Sequence, residues 1–233
     1  MTPLPLQLDP PWLVVDLGAA LRVLSFAPHR PGLVTARQIV WREVRNADLP
    51  PGLAVGPWFA AELAGRGLGD AVAMLTSRDI RRVSRASCTV ADWTVEALAT
   101  VGLGNAEAVG RRLAPRDPEA AGYGTINLAL RIAAARPGHG LSVAAQIEAL
   151  SLAAQARTAA VLALGLDLPT GRATGTGTDC IAIAASPGRE AHAGLHTALG
   201  EAIGRAVLEA VGQGGRDWMQ ERREPRAGLG PLK

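Results

Sequence analysis

The sequence predicts an α+β fold, a mainly antiparallel or mixed sheet with two long C-terminal helices packed on it. Three observations predict it. Most β-prone runs fall before residue 135, two segments with helical spacing (143–164 and 193–211) dominate the remainder, and one short apolar run, CIAIAAS, stands between those helices. Strands first and helices last is the order expected when helices gather on one face of a sheet. A single domain is expected over residues 1–212, followed by a flexible tail over 213–233, where Gly, Arg and Glu are frequent.

Each element has a local reason. WLVVDL, ALRVLSFA and GLVTARQIVW are short β-prone runs separated by Gly-Ala, Pro and Gly breaks. Pro50 and Pro51 open a loop, after which PWFAAELAGRGLG predicts a helix with Pro57 near its first turn and a glycine-rich exit. AVAMLTS predicts a strand, and RVSRASCTVADWTVEALATVGL predicts two strands joined near Ala91 and Asp92. A polar loop around APRDPEAAG then leads to the strand GTINLALRIAA.

Ser142 is the expected N-cap of a helix from Val143 to Leu164, with Gly165 as its stop. Ile147, Leu150, Ala154 and Val161 form its expected apolar face, and Glu148, Ser151, Gln155 and Thr158 a solvent-directed polar face. The second helix, 193–211, buries Leu199, Ile203 and Val207 at the same spacing. Gly200 and Gly204 lie one turn apart on it and would admit another backbone, in one reading that of a second copy in a homo-oligomer.

Composition excludes several classes. With 48% hydrophobic residues the chain is globular rather than disordered. The net charge of +3 comes almost wholly from scattered arginines such as Arg111, Arg112, Arg136 and Arg189, which read as solvated surface and not as a nucleic-acid stripe. The only lysine is the last residue, Lys233, so a P-loop, a Schiff-base enzyme and a serine–lysine hydrolase all lack their essential side chain. Cys88 and Cys180 lie far apart; they cannot build a Cys-rich zinc site and are expected to be buried reduced thiols. No signal peptide and no bilayer-length apolar run is visible. The expected location is the cytoplasm, with neither membrane nor nucleic acid as partner.

The stretch ATGTGTD, Ala173 to Asp179, carries the chemistry best. Glycine in such density implies unusual dihedrals or close approach to a neighbour, and clustered N–H groups with hydroxyls can cradle an anion or an oxyanion. Gly175, Thr176, Gly177 and Thr178 are therefore candidate binding residues. Asp179 stands where the loop meets a buried strand; it serves either as a general base or as a cap for the loop's own N–H groups. His196, opening the next helix, is a second candidate base. Glu201 follows on that helix as a third catalytic candidate, or as half of an i,i+4 ion pair with Arg205. His192 and His196 share a helical face, but no third ligand is evident and no metal site is assigned. Asn105 in VGLGNA and Asn127 in GTINLA each sit beside glycine at a strand end. They either shape turns or hold an amide.

Taken together, VGLGNAEAVG, YGTINLALRI, EALSLAAQARTAAVLALGL, ATGTGTD and HTALGEAIGRAVLEAV, in this order and spacing, resemble the adenosylcobinamide amidohydrolase family of corrinoid salvage. The resemblance runs from about Met74 to Val211, with ATGTGTD and HTALGEAIGRAV the most specific pieces. It implies hydrolysis of the amide joining a corrin propionate side chain to aminopropanol, releasing adenosylcobyric acid for coenzyme B12 assembly. The cobalt corrinoid is then the substrate, and no protein-bound cofactor is implied. The resemblance also implies an acid–x–basic pair on the first long helix, where this chain has Gln155 and Arg157. Amide hydrolysis needs a base, an oxyanion site and a proton for the departing amine. Asp179 or His196 would be the base, residues 175–178 the oxyanion site, and Asn105 or Asn127 the amide holder, with Thr176 or Thr178 as a rival nucleophile. Trp58 and Trp93 are candidate walls for the ring. The rival class is a corrinoid- or nucleotide-binding protein that uses the loop without catalysis.

Overall fold

The structure is a computed structural model that describes residues 3–113 and 124–223. The expected polar loop APRDPEAAG and the last ten residues of the expected tail lie outside the described residues.

The strands are β1 (Leu6–Asp9), β2 (Trp12–Ser25), β3 (Gly32–Glu43), β4 (Val72–Thr76), β5 (Ser84–Val90), β6 (Trp93–Val101), β7 (Ala106–Glu107), β8 (Ile126–Ala134), β9 (Asp167–Leu168), β10 (Gly171–Arg172), β11 (Gly175–Thr176) and β12 (Cys180–Ala185). The helices are α1 (Val55–Gly65), α2 (Val143–Ala163) and α3 (Ala198–Arg223). One mixed sheet runs in the order β4-β3-β2-β12-β8-β6-β5, with β1 paired to β2. Among the described residues only β12/β8 and β3/β4 are parallel within it. The predicted α+β class is the observed one.

A bulge turns this sheet into two leaves. WLVVDL and ALRVLSFA belong to one strand, β2, whose register with β3 breaks between Asp16 and Leu21. Extra residues on one strand bend it and increase its twist. The C-terminal part of β2 pairs with β12 and with the start of β3, whereas its N-terminal part pairs with β1 and with the end of β3, which in turn carries β4. This second leaf folds back over the first. Val15, Ile39, Val72 and Met74 from one leaf share a buried core with Leu98, Ala129, Ala182 and Ala184 from the other. Phe59 and Leu63 of α1 cover the outside of the folded-back leaf. The other leaf turns Ile181, Ile183, Leu128 and Leu130 toward α2 and α3. The strand alternation of period two thus divides β12, with Cys180, Ala182 and Ala184 between the leaves and Ile181 and Ile183 under the helices.

The helices depart from the expected faces and ends. Ser142 caps α2 as predicted, its Oγ accepting from Ala145 N at 3.0 Å. The face that α2 buries, however, is an alanine stripe including Ala145, Ala149, Ala153, Ala156 and Ala160, with Leu152 and Val161. Ile147 is 54% exposed. Small side chains let α2 approach the sheet and α3 closely, which an apolar-period reading weighted by large residues misses. Gln146 on the same face is fully buried. It donates to the Arg22 and Ile183 carbonyls at 2.9 and 2.8 Å and accepts from Arg22 Nε at 2.7 Å, so its burial is compensated.

α3 begins at Ala198, not at residue 193, because Thr197 caps it: Thr197 Oγ1 accepts from Gly200 N at 2.8 Å. Gly200 lies under the backbone of Ala193 and Gly194 in this chain's own loop, and Gly204 has open space beside it. The tail expected from residue 213 is helical as far as Arg223. A Cβ on Gly214 would meet Val101 Cγ2 at 2.8 Å and Ser84 Oγ at 2.9 Å. Glycine there permits close packing on the sheet instead of signalling a loose end. Arg78, after β4, fastens the far turn by donating to both carboxylate oxygens of Glu221 at 2.5 and 2.8 Å.

Candidate functional site

The glycine–threonine loop is folded around Asp179. β11 pairs with β7, which lays Gly175 and Thr176 against Ala106 and Glu107. The Asp179 carboxylate accepts from Thr176 N at 3.1 Å, from Ile126 N at 3.1 Å and from Thr176 Oγ1, and it forms an ion pair with Arg157 of α2. Four donors fill the acceptor capacity of one carboxylate. Its side chain is 8% exposed and that of Arg157 16%; burial draws the guanidinium below its ordinary pKa. Gly175 is where the backbone approaches closely. A Cβ there would meet Asp179 Oδ2 at 2.6 Å and the Arg157 guanidinium. At Gly177, by contrast, a Cβ would meet nothing within 4 Å among the described residues, and φ lies outside the left-handed region. Of the two readings of Asp179, the geometry matches the loop cap. The cap ties the loop both to the start of β8 and to α2.

Alternation along the chain sends the next residues the other way. Asp179 faces α2, while Thr178 and Cys180 line a cavity of about 390 Å³ where the two leaves part. Its polar lining includes Asn105, Thr125, Asn127 and Thr178, with Thr76 and Ser77; its apolar wall comes from Phe26, Pro28, Val44, Leu49 and Leu75. Asn127 is 1% exposed and donates from Nδ2 to Leu75 O at 2.7 Å, bridging the leaves. Thr125 Oγ1 donates to Thr178 O at 2.7 Å and fixes the loop tip over the start of β8. Asn105 Nδ2 reaches Thr178 Oγ1 at 3.4 Å, and Asn105 Oδ1 is buried with no hydrogen-bond partner among the described residues. Such an orphan acceptor is costly unless something donates to it. Burial pushes the Cys180 thiol up to about 12, so it stays protonated.

The structure brings Gly175, Thr176, Thr178, Asp179, Asn105 and Asn127 to one end of the sheet but divides them between two faces. His196 and Glu201 are not with them. Both follow the C-terminal end of β12 in the chain, and the loop that leads to them is tied to α2 at Glu148, through the hydrogen bond from Ala193 N at 2.7 Å, rather than at the Arg157 that meets Asp179. His196 is exposed before α3 begins, and Glu201 forms the expected ion pair with Arg205 at 3.2 Å. His192 lies in the same loop, outside any helix, beside Glu148 at 4.0 Å. Trp58 stacks on Phe59, and Trp93 packs beside His139 at 5.0 Å; neither lines the cavity. Gln155 is exposed and contacts Ser151, so the departure at that position does not reach Asp179, whereas Arg157 does. Cys88 and Cys180 are both free.

Sequence reasoning missed Thr125, Phe26, Pro28 and Leu49. Thr125 was legible as a neighbour of Asn127 in GTINLA. The other three come from the turns after β2 and β3, and only the folding-over of the leaves brings them to β8 and β12.

The fold and cavity define an α+β protein whose candidate site lies where two leaves of one sheet separate. The family described as adenosylcobinamide amidohydrolase (CbiZ) matches residues 6–223, nearly the whole chain, and the protein belongs to it. It is thus a member of an amidohydrolase family that acts on a corrinoid. No curated protein matches the chain. Among solved structures it is similar to the PH0078 protein from Pyrococcus horikoshii OT3, with 12% identity, 90% of this chain and 77% of that one covered, and a TM-score of 0.42. Among the described residues no helix is long and apolar enough to cross a membrane.

Proposed function

We propose that this protein hydrolyses the amide that joins aminopropanol to the corrin side chain of adenosylcobinamide or a related cobamide, yielding adenosylcobyric acid. Family membership over residues 6–223 is the observation that carries this reading. The cavity supports it by offering amide-binding groups on one wall and apolar groups on the other. In this reading Asn105 Oδ1 accepts the amide N–H, and the remaining N–H of Asn127 donates to the amide carbonyl as it gains negative charge. Thr178 Oγ1 orients the attacking water. The water oxygen forms the new bond to the carbonyl carbon, the C–N bond breaks, and the proton released goes to the departing amine. Asp179 acts at one remove, holding the loop that carries Thr178. The cobalt belongs to the substrate.

A second reading, corrinoid binding without cleavage, is favoured by one observation. Among the described residues the cavity wall carries neither carboxylate nor imidazole. Incubation with adenosylcobinamide followed by chromatography separates the two. Appearance of adenosylcobyric acid and free aminopropanol supports the hydrolase; retention of unchanged substrate on the protein supports the binder; neither outcome removes both.

A further inference from the structure

The cavity and the substrate differ in size. Pockets of about 300–1,000 Å³ enclose drug-sized molecules, and a corrin with its side arms is far larger than those, whereas the cavity measures about 390 Å³. It has room for one arm. Its lining is correspondingly two-sided: Asn105, Thr125 and Thr178 form one hydrogen-bonded cluster, and Phe26 and Pro28 stand together where β2 ends. Phe26 is 51% exposed although it borders the cavity. A large aromatic half in water at a cavity edge is the residue type that anchors an apolar ligand surface.

Resting on the proposed activity, we infer that the substrate is read in two parts: the aminopropanol arm enters the cavity toward Asn105, and the corrin ring stays outside, seated against Phe26. The ring is thereby recognised apart from the scissile bond. A corrinoid lacking the arm still docks, and Phe26 contributes to binding of product as well as of substrate.

Equilibrium dialysis tests this, with adenosylcobinamide and, separately, adenosylcobyric acid as probes, beside the turnover assay. Phe26→Ala should weaken binding of both corrinoids by roughly tenfold, as truncation of an aromatic anchor does, and Phe26→Trp should restore it. Leu195→Ala serves as a control: Leu195 is 72% exposed and lies in the loop before α3, at the other end of β12. It should change neither binding constant. Binding of the armless corrinoid that is insensitive to Phe26→Ala overturns the inference, whether or not the wild type turns over. Tight, Phe26-dependent binding without turnover upholds the docking surface and overturns the hydrolase reading. Absence of binding to the wild type overturns both.

Discussion

Arg157 on α2 closes onto the carboxylate of Asp179 at the entrance to β12, and both partners are largely buried. The pair joins the first long helix to the glycine–threonine loop across the face opposite the cavity. Its burial makes it unsuited to half-removal, because a lone guanidinium would remain in a low-dielectric site. Asp179→Asn should destabilise the fold by about 3–5 kcal/mol, the usual result of breaking a buried pair from one side. The double variant Asp179→Asn/Arg157→Gln should be less destabilised than the two single changes summed. Denaturant melts of the four proteins measure this. Additive losses would mean that the two side chains do not act as a pair.

The two glycines of the loop should behave oppositely. At Gly175 a Cβ would press on Asp179 and Arg157, and relief requires moving the loop. Gly175→Ala should therefore cost about 1–3 kcal/mol, as overpacking does. Gly177→Ala meets open space at an ordinary φ and should stay within about 0.5 kcal/mol of wild type. The density of glycine raised the expectation that residues 175–177 face a ligand. Only Gly175 is constrained, and by the protein itself. Equal melting temperatures for the two variants would contradict this assignment.

Cys180 gives a pH dependence with a defined sign. Its thiol titrates near 9.0 when unperturbed and about 12 in the fold, because burial disfavours the thiolate. Between these values the unfolded chain has released the proton and the folded chain has kept it. Stability should therefore be intact below pH 9 and fall as pH rises from 9 toward 12, at up to ~1.4 kcal/mol per pH unit from this group. Cys180→Ala should remove that part of the slope, and iodoacetamide at neutral pH should leave Cys180 unmodified until the protein unfolds. Rapid alkylation of the native protein would show an accessible thiolate.

Residues 213–223 should matter to stability. A chain ending at Gly212 loses the Trp218 packing and the Arg78–Glu221 pair that a chain ending at Arg223 retains. The Arg78 hydrogen bonds hold the Glu221 carboxyl below its ordinary value of 4.5. This contribution is present above that value and lost as pH falls through the lower folded one. The shorter chain should melt at lower temperature at pH 7, with the gap narrowing in acid. Identical melting curves would return this segment to the role of a loose tail.

The pattern of strands, the Ser142 cap and the position of Asp179 at the junction were legible because each is a local signal: β-prone runs, a hydroxyl before a helix, an acid between a flexible loop and a buried run. The buried face of α2 was not, since alanine gives almost no periodic contrast while Ile147 gives a misleading one. The extent of α3 was hidden by glycines that permit packing yet read as breakers. Two residues next to each other in sequence, Thr178 and Asp179, serve opposite faces of the sheet, and which neighbours each meets depends on strand order. Arg157 is more than twenty positions from Asp179, and no spacing rule links them. The two candidate bases, Asp179 and His196, are likewise close in the chain but separated in the fold order, because β12 and the loop before α3 lie between them.

The last prediction divides the cavity's polar wall by kinetic role. If Asn105 receives the amide N–H, Asn105→Ala removes a neutral hydrogen bond worth about 0.5–1.5 kcal/mol, up to roughly tenfold, and much of that should appear as a higher KM. If Thr178 orients the water, that interaction strengthens as the new bond forms. Thr178→Ala should therefore lower kcat, with Thr178→Ser recovering most of it because the hydroxyl returns. The rival role, Thr178 as nucleophile, makes a sharper demand. Alanine would then abolish turnover, and wild type mixed with excess substrate would show a burst of aminopropanol before the steady state. Rapid-quench measurement of aminopropanol on the wild type and both variants decides between them. A linear time course with residual activity in Thr178→Ala supports water as the nucleophile; a burst with none in the alanine variant assigns the attack to Thr178 itself.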